Sequence, residues 1–194
     1  MSMTEEVINV LPQIFQNHIC ALKRTSLDDT NRTFMCESKM KVIHFDKIPD
    51  DYARGRGWDG VPSSNDALYI SPQGKWYFIE FKNGTIKKEQ IFRKLYDSLI
   101  MLMELGIIPD IDFIRDNINY ILVYNPTKVD KIQKFAGRTD NYSYIFNLAE
   151  QEEKLFGIEK FEKYLFNETH TYTPDLFEKN FVIPMETEER LTEV

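Results

Sequence analysis

Residues 65–84, NDALYISPQGKWYFIEFKNG, decide the fold. Two strand-like runs, DALYIS and KWYFIEFK, flank PQG, in which Gly74 is free to take a positive φ; the stretch predicts a β-hairpin. With a three-residue loop, Ser71 pairs with Lys75 and, counting back, Asp66 lies opposite Glu80. Directly opposed side chains sit about 5 Å apart at Cβ, so the two carboxylates would share one face. A two-residue loop would shift the pairing by one position. Glu80 and Lys82 follow a run of aromatic and apolar side chains, where charge is costly unless something uses it.

Outward from the hairpin, NGT closes the second strand. A helix is expected from about Ile86 to Leu105, with Ile91, Leu95, Leu99 and Leu102 as its buried stripe and Gly106 as its cap. INYILVYNP is then a continuous apolar run, the pattern of a strand covered on both faces and reached by a helical crossover. Upstream, Val7, Leu11, Ile14, Phe15 and Ile19 set a helical stripe over about Thr4 to Leu22, with Thr4 as N-cap. Residues 40–48 read as a strand, and PDDYARGRGWDGVPSS reads as a long exposed loop. Toward the end, YSYIFNL suggests a strand and EQEEKLFGIEKFEKYL a helix. TPDLFEKNF suggests a short helix capped by Thr173, with Pro174 in its first turn.

The order helix, hairpin, helix, buried strand predicts an α/β sandwich with a mixed central sheet. The 194 residues fit a single domain, with a core over about 4–126, a C-terminal α+β extension over about 127–185 and an acidic tail over 186–194. That tail, METEERLTEV from 185 onward, reads as solvated. The longest apolar run, LIMLM, is far short of a membrane span. The acidic start, MSMTEEV, is unlike a secretory signal. Cys20 and Cys36 lack metal or redox spacing and suit a reducing compartment, so a cytoplasmic location without membrane association is expected. A net charge of −7 argues against tight nonspecific nucleic-acid binding. Between Lys82 and Lys94, however, five basic residues face one acid, leaving room for a local basic groove.

Two facing carboxylates beside a lysine suit a hard divalent cation and a phosphodiester. Asp66 and Glu80, with the carbonyl of Phe81, would supply oxygens to Mg²⁺ or Mn²⁺. Lys82, on the same strand face as Glu80, would orient water or stabilise a charged transition state. Of three Glu-x-Lys triplets, at 37–39, 80–82 and 152–154, only the middle one lies in an aromatic strand whose partner begins with Asp.

The pattern Asp66, thirteen residues, Glu80-Phe81-Lys82 resembles the PD-(D/E)xK, restriction-endonuclease-like nuclease superfamily over roughly residues 4–126. No Pro precedes Asp66, which departs from the motif's name. The resemblance implies an α/β/α sandwich and Mg²⁺-dependent hydrolysis of nucleic acid, DNA before RNA, in a phage, mobile-element or defence setting. It further implies assisting residues from the first helix (Glu6 or Glu5) and from the helix after the hairpin (Lys87, Lys88 or Gln90), and it leaves a homodimer open.

Lys87, Lys88, Arg93 and Lys94 are candidates for the nucleic-acid backbone, and Asp59 is a further assisting acid. Glu37, the pair His44 and Asp46, and the loop arginines Arg54 and Arg56 are weaker candidates, for which structural roles compete. His18 and His170 lack partners at ligand spacing. The alternative reading is a non-cleaving relative that binds a protein or nucleic-acid partner, a choice the acidic balance favours and the intact triad opposes. A third is an interaction domain whose acids are merely solvated.

Overall fold

Pro12 breaks the long amino-terminal helix that the apolar spacing suggests. A computed structural model describes residues 5–128 and 138–192, with side chains over 8–128 and 143–192. In it α1 (Glu5–Val10) stops before the proline and α2 (Gln13–Gln16) restarts after it. Proline cannot donate the helical hydrogen bond, and it disfavours helix in the residue before it. The expected cap Thr4 lies outside the described residues. Ile19–Ala21 then form an edge strand, β1, followed by the one-turn helix α3 (Leu22–Thr25) and the small ribbon β2 (Leu27–Asp28) and β3 (Thr33–Phe34).

Strand β4 (Lys41–His44) lies in the segment expected as a strand, but residues 45–47 turn into a 3₁₀ helix. The loop expected over residues 49–64 is helical in its first half, as α4 (Ile48–Arg56). Pro49 is tolerated in a first helical turn, Asp50 and Asp51 favour that end, and Ile48 and Tyr52, spaced i and i+4, are buried. The helix ends where Gly57 takes φ 67°. The density of Gly and Pro had masked that spacing.

The hairpin forms in the three-residue register. Ser71 N–H donates to the Lys75 carbonyl at 2.8 Å, and Gly74 turns at φ 78°. Strand β5 (Ala67–Ile70) pairs antiparallel with β6 (Trp76–Lys82) from Ile70–Trp76 back to Ala67–Ile79. Asp66 therefore stands one step further, opposite Glu80. The chain next forms α5 (Lys88–Glu104), α6 (Ile111–Asn117) and β7 (Ile118–Tyr124), which runs parallel to β6 and is buried at every position.

Two expectations downstream are reversed. The segment read as a strand lies in α7 (Arg138–Glu150), and residues 151–166 form turns with only one 3₁₀ turn, Glu159–Phe161. Alternating aromatics had suggested a strand, yet Leu148 is buried with Tyr124 and Leu155 while Phe146 is exposed. A strand not anticipated, β8 (Thr169–Tyr172), extends the sheet beside β7. The predicted cap at Thr173 is present: its hydroxyl accepts from Leu176 N–H at the start of α8 (Pro174–Phe177). A π-helical turn, Glu178–Val182, leads into α9 (Ile183–Thr192). Most of the expected acidic tail is thus helical. Glu189 is buried and accepts a hydrogen bond from the Tyr69 hydroxyl at 2.8 Å.

The result is a mixed α/β architecture. One six-stranded sheet has the order β1-β4-β5-β6-β7-β8, antiparallel up to β6 and parallel beyond it. Strand alternation puts Phe78, Glu80 and Lys82 on one face and Tyr77, Ile79 and Phe81 on the other. On the second face Phe177 meets Phe81, and Phe181 meets Tyr69 and Tyr77, with ring centroids 5.0–5.7 Å apart. The first face carries α5 and α6, through Lys94 on the acids and Phe113 on Trp76. Among the described residues, no helix is long and apolar enough to cross a membrane.

Candidate functional site

The carboxyl end of β6 opens onto a cleft of about 700 Å³. Its walls include Asp66 before β5, Phe81 and Lys82 at the end of β6, and Lys94 on α5. The α3–β2 segment contributes Arg24, Asp28 and Asp29, and His44, Asp46 and Lys47 also stand on the rim. Ligands in open α/β sheets favour this position, beyond the carboxyl ends of parallel strands. Three asparagine contacts brace the ribbon beside it. Asn83 donates to Asp28 at 2.7 Å and to Thr33 at 3.4 Å, and Asn125 donates to Asn83 at 2.7 Å.

Glu80 lies behind the cleft wall, with its side chain 0% exposed and in contact with the lining residues Lys82 and Lys94. Lys82 Nζ lies 2.7 Å from Glu80 Oε1, and Lys94 Nζ lies 2.8 Å from the same oxygen. Both lysines converge on Oε1, and Oε2 has no hydrogen-bond partner among the described residues. Lys94 Nζ also contacts Asp66 Oδ1 at 3.0 Å, so one ammonium bridges the two carboxylates. Asp66 Oδ2 accepts the Phe81 N–H at 2.7 Å, which ties the strand end to the acid.

The electrostatics follow from this crowding. Burial, then the neighbouring Asp66 charge, push the Glu80 carboxyl up to about 7 against the pull of Lys94 and Lys82. Burial lowers the pKa of Lys94, yet the charges of Asp66 and Glu80 carry it above the ordinary lysine range. Tyr120 is wholly buried, and its hydroxyl lacks a hydrogen-bond partner among the described residues. Its pKa is raised mainly by burial and further by Glu80 and Asp66. Burial, reinforced by Lys47, lowers the pKa of His44 at the rim below the ordinary histidine value.

The structure thus brings Asp66, Glu80, Phe81, Lys82 and Lys94 together. Lys94, expected among the backbone-binding lysines, is instead at the centre of the acid pair. Lys87, which caps α5, and Lys88, Gln90 and Arg93 on it are exposed and do not line the cleft, so the assisting role expected of Gln90 has no support in its position. Asp59 is exposed beyond α4, also away from the cleft. Glu6 and Glu5 fall on α1, and their side chains lie outside the described residues. Glu37 pairs with Lys23, Arg54 with Asp51, and Arg56 with Glu104, each away from the acids. His18 is bound to Asp51, and His170 to Glu152 and Glu168.

Sequence reasoning missed the central place of Lys94 and the contribution of Arg24 and Lys47. For Lys94 a signal existed: it lies three residues after Ile91 and four before the buried Ser98, at the border of the buried stripe. For Arg24 none did, because the polar run KRTSLDDTNRT has no period linking it to the hairpin.

Among the described residues, no group of three or more His, Cys, Asp or Glu side chains is arranged to hold a metal. The acids here are a pair, which is still enough for Mg²⁺. That ion commonly takes one or two carboxylates and fills its shell with water and substrate phosphate. Two further observations fit a cation between Asp66 and Glu80: an ammonium already bridges them, and Glu80 Oε2 has no donor. No family model matches the chain, no curated protein matches it, and no solved structure matches it.

Proposed function

We propose that the protein is a metal-dependent phosphodiesterase of the PD-(D/E)xK, restriction-endonuclease-like type that hydrolyses nucleic acid, DNA before RNA. The observation that carries this reading is the hairpin register. It sets Asp66 opposite the buried Glu80 at the mouth of a cleft that Lys82 and Lys94 share. Burying two acids and two lysines against one another contributes little stability. Well-packed apolar residues often do as well or better in such places, so the cluster points to use rather than support.

Asp66 and Glu80 would hold the divalent cation, with the Phe81 carbonyl close by. When bound, that cation lowers the pKa of a water and offsets charge on the scissile phosphate. Lys82, 23% exposed and anchored on Glu80, faces the cleft and would stabilise the extra negative charge of the transition state. Arg24 and Lys47 on the rim would hold flanking phosphates without reading sequence.

The test is incubation of single- and double-stranded DNA and RNA with protein in Mg²⁺ or in EDTA. Cleavage that needs Mg²⁺, is abolished by Asp66→Asn and falls about 10²–10³-fold in Lys82→Ala is the expected result. Binding to one of these substrates with no cleavage in any metal would contradict it. One observation favours a second reading, in which the fold binds a protein or nucleic acid without cutting: the Lys94 ammonium already occupies the space between both acids. Binding without cleavage would select that reading.

A further inference from the structure

Lys82 and Lys94 both reach Glu80 Oε1, but only Lys94 also reaches Asp66. Its Nζ stands 3.0 Å from one carboxylate and 2.8 Å from the other, where a cation bridging the pair belongs. We propose that Lys94 is a built-in counter-cation that keeps the divalent metal out until a strand phosphate in the cleft draws its ammonium away. This inference rests on the functional reading above and concerns how that same site is regulated.

Three observations carry it. First, an ammonium and a divalent cation cannot share the space between two carboxylates that one ammonium already spans, because like charges at that distance repel. Second, the lysines satisfy the acids incompletely. Both converge on one oxygen of Glu80 and leave the other, buried, with no donor among the described residues. Third, Lys94 has somewhere to go. It is 21% exposed, lines the cleft and carries its charge on a flexible stem. A phosphate drawn in by Arg24, Lys47 and Lys82 offers that ammonium a new partner. Moving to the phosphate, Lys94 would leave Asp66 without its ammonium and Lys82 as the one cation on the acid pair, which favours metal entry. Substrate and metal would therefore bind cooperatively, and by linkage each would raise the affinity of the other by the same factor.

The experiment is calorimetric titration of Mn²⁺ into the full chain, with and without a single-stranded phosphorothioate DNA oligonucleotide that resists hydrolysis. In the wild type, the oligonucleotide is expected to tighten Mn²⁺ binding about 5- to 150-fold. In Lys94→Gln, Mn²⁺ is expected to bind tightly without the oligonucleotide, and the coupling should vanish. Lys94→Arg, which keeps the charge, should retain weak Mn²⁺ binding by the free protein. Wild-type affinity that is the same with and without the oligonucleotide overturns the inference, and needs no variant to fold. So does a Lys94→Gln protein that binds Mn²⁺ no more tightly than wild type. If Mn²⁺ binds but is uncoupled, the metal-site reading survives and only the exclusion by Lys94 fails. If Mn²⁺ binds neither alone nor with the oligonucleotide, both fall together.

Discussion

Glu80 concentrates the physical problem of this molecule in one side chain. Its carboxyl is pushed up to about 7 from an ordinary value of 4.5, because burial and Asp66 disfavour its charge more than two lysines favour it. Between those values the folded protein holds the proton more tightly than the unfolded chain. Stability from this group is therefore complete below about 4.5, is lost as pH rises toward 7, and levels off above. The shift corresponds to about 3 kcal/mol as an order of magnitude. Denaturant midpoints in EDTA should show the wild type losing stability relative to Glu80→Gln between about pH 4.5 and 7. Parallel curves for the two proteins would mean that Glu80 carries its charge without penalty. The same substitution should abolish metal-dependent cleavage, so a more stable and inactive variant is the expected pairing.

At the scale of elements, the hairpin was legible because its turn chemistry and its alternation agree. PQG supplies a positive-φ glycine, and a three-residue loop fixes which residues face each other. Deleting the exposed Gln73 should therefore abolish cleavage, since a one-residue slip carries Glu80 away from Asp66. Gln73→Ala keeps the loop length and should change stability by no more than about 0.5 kcal/mol. Thermal melts and cleavage rates of the pair check this, and an active deletion variant would refute the register argument.

Elsewhere the local signals misled for definable reasons. Pro12 outweighed an apolar stripe, and the glycines of 49–64 hid the Ile48–Tyr52 spacing. Tyr144 and Phe146 alternate as in a strand although the backbone there is helical. Strand β8 is short, and its threonines are buried by the sheet rather than by any apolar pattern of their own. The cap at Thr173 was readable from the Thr-Pro pair, and Thr173→Ala should lower stability by about 1 kcal/mol in chemical denaturation. An unchanged midpoint would mean that the cap contributes nothing.

For the whole molecule, the balance of charge is decided locally. The chain is acidic overall, at −7, yet Arg24, Lys47, Lys82 and Lys94 meet in one cleft, where Asp28, Asp29, Asp46 and Asp66 match them in number. Topology collects them: α3, the turn after β4, the end of β6 and α5 are remote in sequence and adjacent in space. The acid pair could be read from a single hairpin, whereas the basic rim depends on how the sheet is ordered. Nucleic-acid binding should accordingly be weak and strongly salt-dependent. Arg24→Ala and Lys47→Ala should each reduce the slope of log affinity against log salt by about 0.7–0.9. Slopes unchanged in both variants would place the strand elsewhere.

The most direct measurement is anomalous diffraction from crystals soaked with Mn²⁺ and a short phosphorothioate DNA strand. The expected result is one strong peak between the carboxylates of Asp66 and Glu80, with the Lys94 ammonium moved onto a strand phosphate. A strand bound in the cleft with Lys94 still bridging both acids, and no peak between them, would contradict it.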